Sequence, residues 1–117
     1  MVENALLFFH NQRYALRAWV VMPNHVHALF RVNTTPMSHI VRDWKRHTAR
    51  AANKLLGREG AFWHEDYWDT WIRDREHESR AVHYIESNPV KTPLVRDPKD
   101  WLCSSARLRD NHGRLCV

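Results

Sequence analysis

An α+β domain is what this sequence predicts, on three observations. Two short apolar runs, Tyr14–Met22 and His25–Val32, flank the turn signal Met22-Pro23-Asn24 and read as a hairpin. Longer stretches on either side repeat their apolar residues at three- and four-residue steps, as amphipathic helices do. A further aromatic run, Tyr67–Arg73, has the composition of a strand. The order helix, hairpin, helix, strand, helix gives an antiparallel sheet with its helices gathered on one face. At 117 residues the chain is a single domain, 1–117, with room for one modest core.

Each element has its own signal. Residues 2 to 12 place Ala5, Phe8 and Phe9 on one helical face and stop at Asn11-Gln12. Tyr14–Met22, rich in Val, Tyr, Trp and Ala, is a buried strand, and His25–Val32 is its hairpin partner. Thr35 is placed to cap the next helix, with Pro36 at its first position. Met37, Ile40, Val41, Trp44, Thr48, Ala51 and Leu55 form its buried stripe, and Gly57 stops it. Arg42, Lys45, Arg46, Arg50 and Lys54 fall mostly off that stripe, on a cationic face. Asp74 caps the last helix, with Glu76 and Glu78 in its first turn, and the helix ends at Asn88 because Pro89 follows. With Pro89, Pro93 and Pro98 interrupting it, the segment from about 90 to 117 reads as an irregular tail.

Composition narrows the class. No apolar run approaches the roughly 20 residues of a bilayer-spanning helix. No basic segment precedes Ala5-Leu6-Leu7-Phe8-Phe9 to make it a signal peptide. Cys103 and Cys116 are too few for a disulfide framework or a four-cysteine zinc site, and Cys103 reads as a buried thiol. The expectation is a cytoplasmic protein without a membrane partner. Eighteen Lys and Arg against thirteen Asp and Glu give a net charge of +5, and six tryptophans accompany them. Cations for phosphates and rings for unpaired bases suit a nucleic-acid partner.

Two groups of residues carry candidate chemistry. In His25-Val26-His27 the two imidazoles leave one face of a strand together while Val26 enters the other, so the pair can grip one divalent ion. The other histidines (His10, His39, His47, His64, His77, His83 and His112) lack such spacing and read as surface or core residues. In His83-Tyr84-Ile85-Glu86-Ser87-Asn88-Pro89, Tyr84 and Asn88 are four apart and share a helical face, while Ala81, Val82 and Ile85 pack inward. A phenolate can attack a phosphodiester and form a covalent phosphotyrosine link. A cation on His25 and His27 would neutralise the phosphate, with the Asn88 amide oxygen as a third ligand. Mixed nitrogen and oxygen donors admit Mg²⁺ or Mn²⁺.

Three stretches together resemble the single-tyrosine HUH transposases, in particular the REP-associated branch of the IS200-like group. Val20–His27 resembles that family's paired-histidine signature, Asp66–Asp74 its strand before the catalytic helix, and Tyr84–Lys91 its tyrosine motif. The resemblance runs from about residue 5 to residue 107. It implies a ferredoxin-like antiparallel sheet, a Mg²⁺ or Mn²⁺ site on His25, His27 and Asn88, and Tyr84 as nucleophile. Asn88 stands where the family often has Gln, one methylene longer. It also implies single-stranded or hairpin DNA of the REP type as substrate, in a cytoplasmic, nucleoid-associated setting. Arg42, Lys45, Arg46, Arg73 and Lys91 become the expected DNA contacts. The chain opens inside or just before the family's first helix, so a sheet lacking the first strand is expected, its free neighbour covered by homodimerisation. The alternative is a non-catalytic module that binds DNA hairpins.

Overall fold

The computed structural model describes residues 2–63 and 71–117. Strands β1 (Tyr14–Val21) and β2 (Val26–Val32) pair antiparallel, and the turn between them is closed by the Met22 N–H donating to the His25 carbonyl at 2.8 Å. Among the described residues these two strands are the whole sheet. Of the strand expected over Tyr67–Arg73, Tyr67–Thr70 lie outside the described residues, and Trp71–Arg73 are irregular.

The register pairs Val20 with His27 and Ala18 with Leu29, then slips at Arg17, so that Leu16 faces Phe30. This bulge lets β1 bury Tyr14, Leu16 and Trp19 on one side and Ala18, Val20 and Met22 on the other. A strand that is apolar on both faces needs cover on both. Helices α1 (Val2–Phe8) and α2 (Met37–Leu56) share the first face. Helix α3 (Arg75–Glu86) takes the second, laying Val82 and Ile85 over Ala18, Val20 and Leu29.

Tyr14, 1% exposed, ties the first face together. Its hydroxyl donates to the Leu6 carbonyl at 2.5 Å and accepts from the Trp44 indole at 2.9 Å. The Tyr14, Phe30 and Trp44 rings meet edge to face. Helix α1 is shorter than its periodicity predicts, because the chain turns at Asn11 with φ 67° and both Gln12 and Arg13 donate back to the Phe9 carbonyl. Ala5 and Leu6 are the buried residues of α1, and Phe8 faces outward.

Helix α2 begins one residue later than expected. Pro36, not Thr35, is its N-cap, and the Pro36 carbonyl accepts from His39 and Ile40. Gly57 ends it at φ 64°, the left-handed geometry that favours glycine. Ile40, Thr48 and Ala52 are buried, but Leu55 is 75% exposed, with no apolar cover over it among the described residues. Asp74 caps α3 as predicted, accepting from His77 N–H at 2.8 Å. The helical path does not stop at Asn88. After Ser87 it continues for one more turn, α4 (Asn88–Lys91), where Pro89 stands in the first turn and its missing N–H has no carbonyl to satisfy.

Residues 92–117 contain two 3-10 turns, Pro98–Asp100 and Ser105–Leu108. Irregular in form, this segment is nonetheless docked along β1. The Val21 N–H donates to the Cys103 carbonyl at 2.8 Å, Trp19 N–H to Ser105 Oγ at 3.0 Å, and the Trp101 indole to the Val21 carbonyl at 3.0 Å. Ser104 and Ser105 are fully buried, whereas Cys103, expected to be buried, is exposed. Its backbone carbonyl, not its thiol, makes the contact. No described helix is long and apolar enough to cross a membrane.

His10 makes the fold sensitive to acid. Its Nδ1 accepts the Leu16 N–H at 2.9 Å, and burial lowers its pKa from the ordinary 6.5. Protonation destroys that acceptor, so the stabilisation is complete above about pH 6.5 and is lost as pH falls through the lower folded-state pKa. Thermal melts from pH 8 to 5 should show this loss, and His10→Gln, whose side chain does not titrate, should remove part of it.

Candidate active site

The period-two alternation of β2 decides which side chains meet. Val26, Ala28, Phe30 and Val32 pack with the α1–α2 face, so His27, Leu29 and Arg31 point to the α3 face. His25, just before the strand, continues that row. The two imidazoles stand edge to face with ring centroids 4.9 Å apart. Tyr84, from the last turn of α3, packs its ring against His27 at 5.7 Å. Its phenol is 51% exposed, open to a ligand from solvent. Lys91, seven residues on and again on the same side of the helical path, places its ammonium 4.8 Å from the Tyr84 ring centroid.

The histidines are held in forms that suit ligation. His25 Nδ1 lies 2.6 Å from the Asn24 side-chain oxygen, an acceptor, so Nδ1 donates there and Nε2 is the ring nitrogen left to face a ligand. Burial, and secondarily the nearby charge of His25, lowers the pKa of His27 and keeps its ring neutral at pH 7. Among the described residues no group of three or more His, Cys, Asp and Glu side chains could hold a metal ion. The histidine pair thus offers two nitrogens, and any further donor must be of another type. Asn88, the first residue of α4 and 9% exposed, carries an amide oxygen one turn beyond Tyr84 in sequence. This donor set fits a divalent ion that accepts mixed nitrogen and oxygen ligands.

The cations expected to touch DNA do not gather in one place. A groove of about 1280 Å³ along β2 is lined by His25, His27, Arg17, Arg31, Lys45 and Trp71 among others. Arg42, beside Asp43, does not line it, and Arg46 lines a smaller groove of about 520 Å³ between α1 and α2. Arg73 is exposed just before α3, its N–H donating to His77 Nδ1 at 3.1 Å. Arg17 and Arg31 escaped sequence reasoning. Counting by twos from His27 through Leu29 reaches Arg31, whereas the bulge at Arg17 hides its facing.

With this geometry in place, residues 7–88 match the family model for IS200-like transposases, a span that holds both histidines, Tyr84 and Asn88. The chain belongs to the IS200-like transposase family. It is 28% identical over 104 residues to the REP-associated tyrosine transposase of Escherichia coli (strain K12), covering 86% of this chain and 60% of that protein. A solved REP-associated tyrosine transposase, bound to a REP hairpin, superposes with a TM-score of 0.78 at 26% identity, covering 91% of this chain and 63% of that one. The chain therefore spans about three fifths of the length of these IS200-like relatives.

Titration by NMR should find the His27 midpoint below the ordinary 6.5. His25→Ala removes the neighbouring charge and should raise that midpoint; a fall, or a His27 titrating above 6.5, contradicts the packing described.

Proposed function

We propose that this protein is a DNA strand-cleaving and strand-joining enzyme that uses Tyr84 as its nucleophile on single-stranded or hairpin DNA. The observation that carries the reading is the contact of the Tyr84 ring with His27, which joins two sequence motifs some 57 residues apart (84 − 27) into one exposed site. In the reaction the Tyr84 oxygen attacks the scissile phosphorus and gives up its proton to water. The bond from phosphorus to the 3′ oxygen breaks and the departing oxygen takes a proton from water, leaving a 5′-phosphotyrosine and a 3′-hydroxyl. Attack by a 3′-hydroxyl reverses the step, rejoins DNA and frees the tyrosine.

The surrounding residues are suited to these tasks. Lys91 sets positive charge beside the ring, where the phosphate must approach. The groove along β2 offers Arg17, Arg31 and Lys45 to backbone phosphates and the exposed Trp71 to an unpaired base. Mg²⁺ or Mn²⁺, held by His25 and His27 with the Asn88 amide oxygen, would supply charge neutralisation at the scissile phosphate. Arg42, Arg46 and Arg73 would serve as outlying phosphate contacts. The hairpin bound by the solved relative supports REP-like hairpins as the substrate class. A cytoplasmic, nucleoid-associated setting follows from such a substrate. A second copy would compete with DNA for the outer edge of β2, which has no strand partner among the described residues.

One observation favours a second reading. The solved relative is bound to a REP hairpin, so binding such DNA without catalysis, as a hairpin-binding module would, is the alternative. Incubation with a single-stranded REP-like hairpin oligonucleotide and Mn²⁺, followed by a denaturing gel, separates the two. The enzyme reading expects a covalent protein–DNA band that is absent in Tyr84→Phe and slower in His27→Ala by about 10²-fold or more, the size of a lost metal contribution of several kcal/mol. Retarded migration on a native gel with no covalent band at any time supports the module instead.

A further inference from the structure

Glu86 is the last residue of α3, where its negative charge opposes the helix dipole and gains nothing locally. Yet its carboxylate is the centre of a polar network, with only 13% of the side chain exposed. The Ser105 hydroxyl donates to Glu86 Oε2 at 2.5 Å, and Ser105 Oγ in turn accepts from the Trp19 N–H at 3.0 Å. Arg109 Nε donates to both Glu86 oxygens, at 2.8 and 3.1 Å. The same guanidinium reaches the Arg17 carbonyl at 2.6 Å and the Gly113 carbonyl at 3.3 Å. The end of α3 is thus bonded to the backbone of β1 on both sides of Ala18, through two side chains of the C-terminal segment.

Tyr84 and Glu86 are two residues apart and leave the helix about 200° from each other. One turns to His27, the other to this network. The apolar contacts of Val82 and Ile85 hold α3 down on the sheet but are non-directional, and they leave the helix free to roll or slide. Charge-assisted hydrogen bonds to fixed backbone groups have direction and remove that freedom. We infer that Glu86, through Ser105 and Arg109, is a positioning residue that fixes the roll of α3 and so holds Tyr84 against His27. The inference rests on the function proposed above for its catalytic consequence, and on geometry alone for the ring contact.

NMR of aromatic-labelled protein tests it by the cross-peak between the Tyr84 and His27 rings. The peak is expected in the wild type and in Glu86→Gln, which keeps an acceptor for Ser105 and Arg109. It is expected to vanish in Glu86→Ala, while the Tyr14–Trp44 and Tyr14–Phe30 peaks of the opposite face persist. Should Glu86→Ala fail to fold, Ser105→Ala takes its place with the same expectation. A Tyr84–His27 peak that survives unchanged in a folded Glu86→Ala or Ser105→Ala overturns the inference. In the cleavage assay, Glu86→Ala should slow adduct formation at saturating hairpin by about 10²-fold with hairpin affinity unchanged, the signature of a nucleophile displaced by an ångström or so. A wild type that shows the ring contact but forms no adduct counts against the proposed function, and the cross-peaks still decide the role of Glu86.

Discussion

The pairing of Val20 with His27 in the β1–β2 hairpin is the constraint on which the site depends. Side chains alternate along β2, so a register slip of one residue would turn His25 and His27 into the α1–α2 core and Val26 and Ala28 out of it. That exchange would bury two imidazoles without partners and expose apolar surface, so the hydrophobic pattern itself locks the histidines onto the α3 side. The bulge at Arg17 completes the arrangement. Beyond it, β1 turns Ala18 and Val20 toward the same side, and these give α3 something to pack on. Helix α3 then brings Tyr84 to the histidines.

The two faces of the sheet do different work. On one, Tyr14 joins Leu6, Trp44 and Phe30 by hydrogen bonds and ring contacts into the largest part of the core. On the other, the apolar layer is thinner, made of Ala18, Val20, Met22, Leu29, Val82 and Ile85, and the C-terminal segment reinforces it with buried polar groups. Ser105 and Arg109 place directional bonds where a small core alone would leave a helix loosely held.

Much of this was legible in the sequence because it rests on local rules. The hairpin follows from Met22-Pro23-Asn24 between two apolar runs, the start of α3 from Asp74, and the end of α2 from Gly57. The facing of His25 and His27 follows from strand period alone. Less legible were features set by tertiary contact. Nothing local announces that Ala18 and Trp19 are both fully buried on opposite faces, so the placement of α3 away from α1 and α2 could not be read from periodicity. The docking of Ser104, Ser105 and Trp101 on β1 joins residues 80 or more positions apart, and proline content hid it behind the look of a loose tail. Phe8 and Leu55 satisfied helical spacing yet lie outside, because α1 is cut short at Asn11 and no apolar cover reaches Leu55 among the described residues.

On the function proposed above, the histidine pair and the phenol form one metal-dependent centre. Paramagnetic broadening by Mn²⁺ tests it most directly, on wild-type protein with aromatic and histidine side chains resolved by NMR. Substoichiometric Mn²⁺ should broaden the His25, His27 and Tyr84 ring signals first and together, leaving His10, His39 and Tyr14 sharp. Broadening centred on other histidines, or of His25 and His27 without Tyr84, would contradict the account.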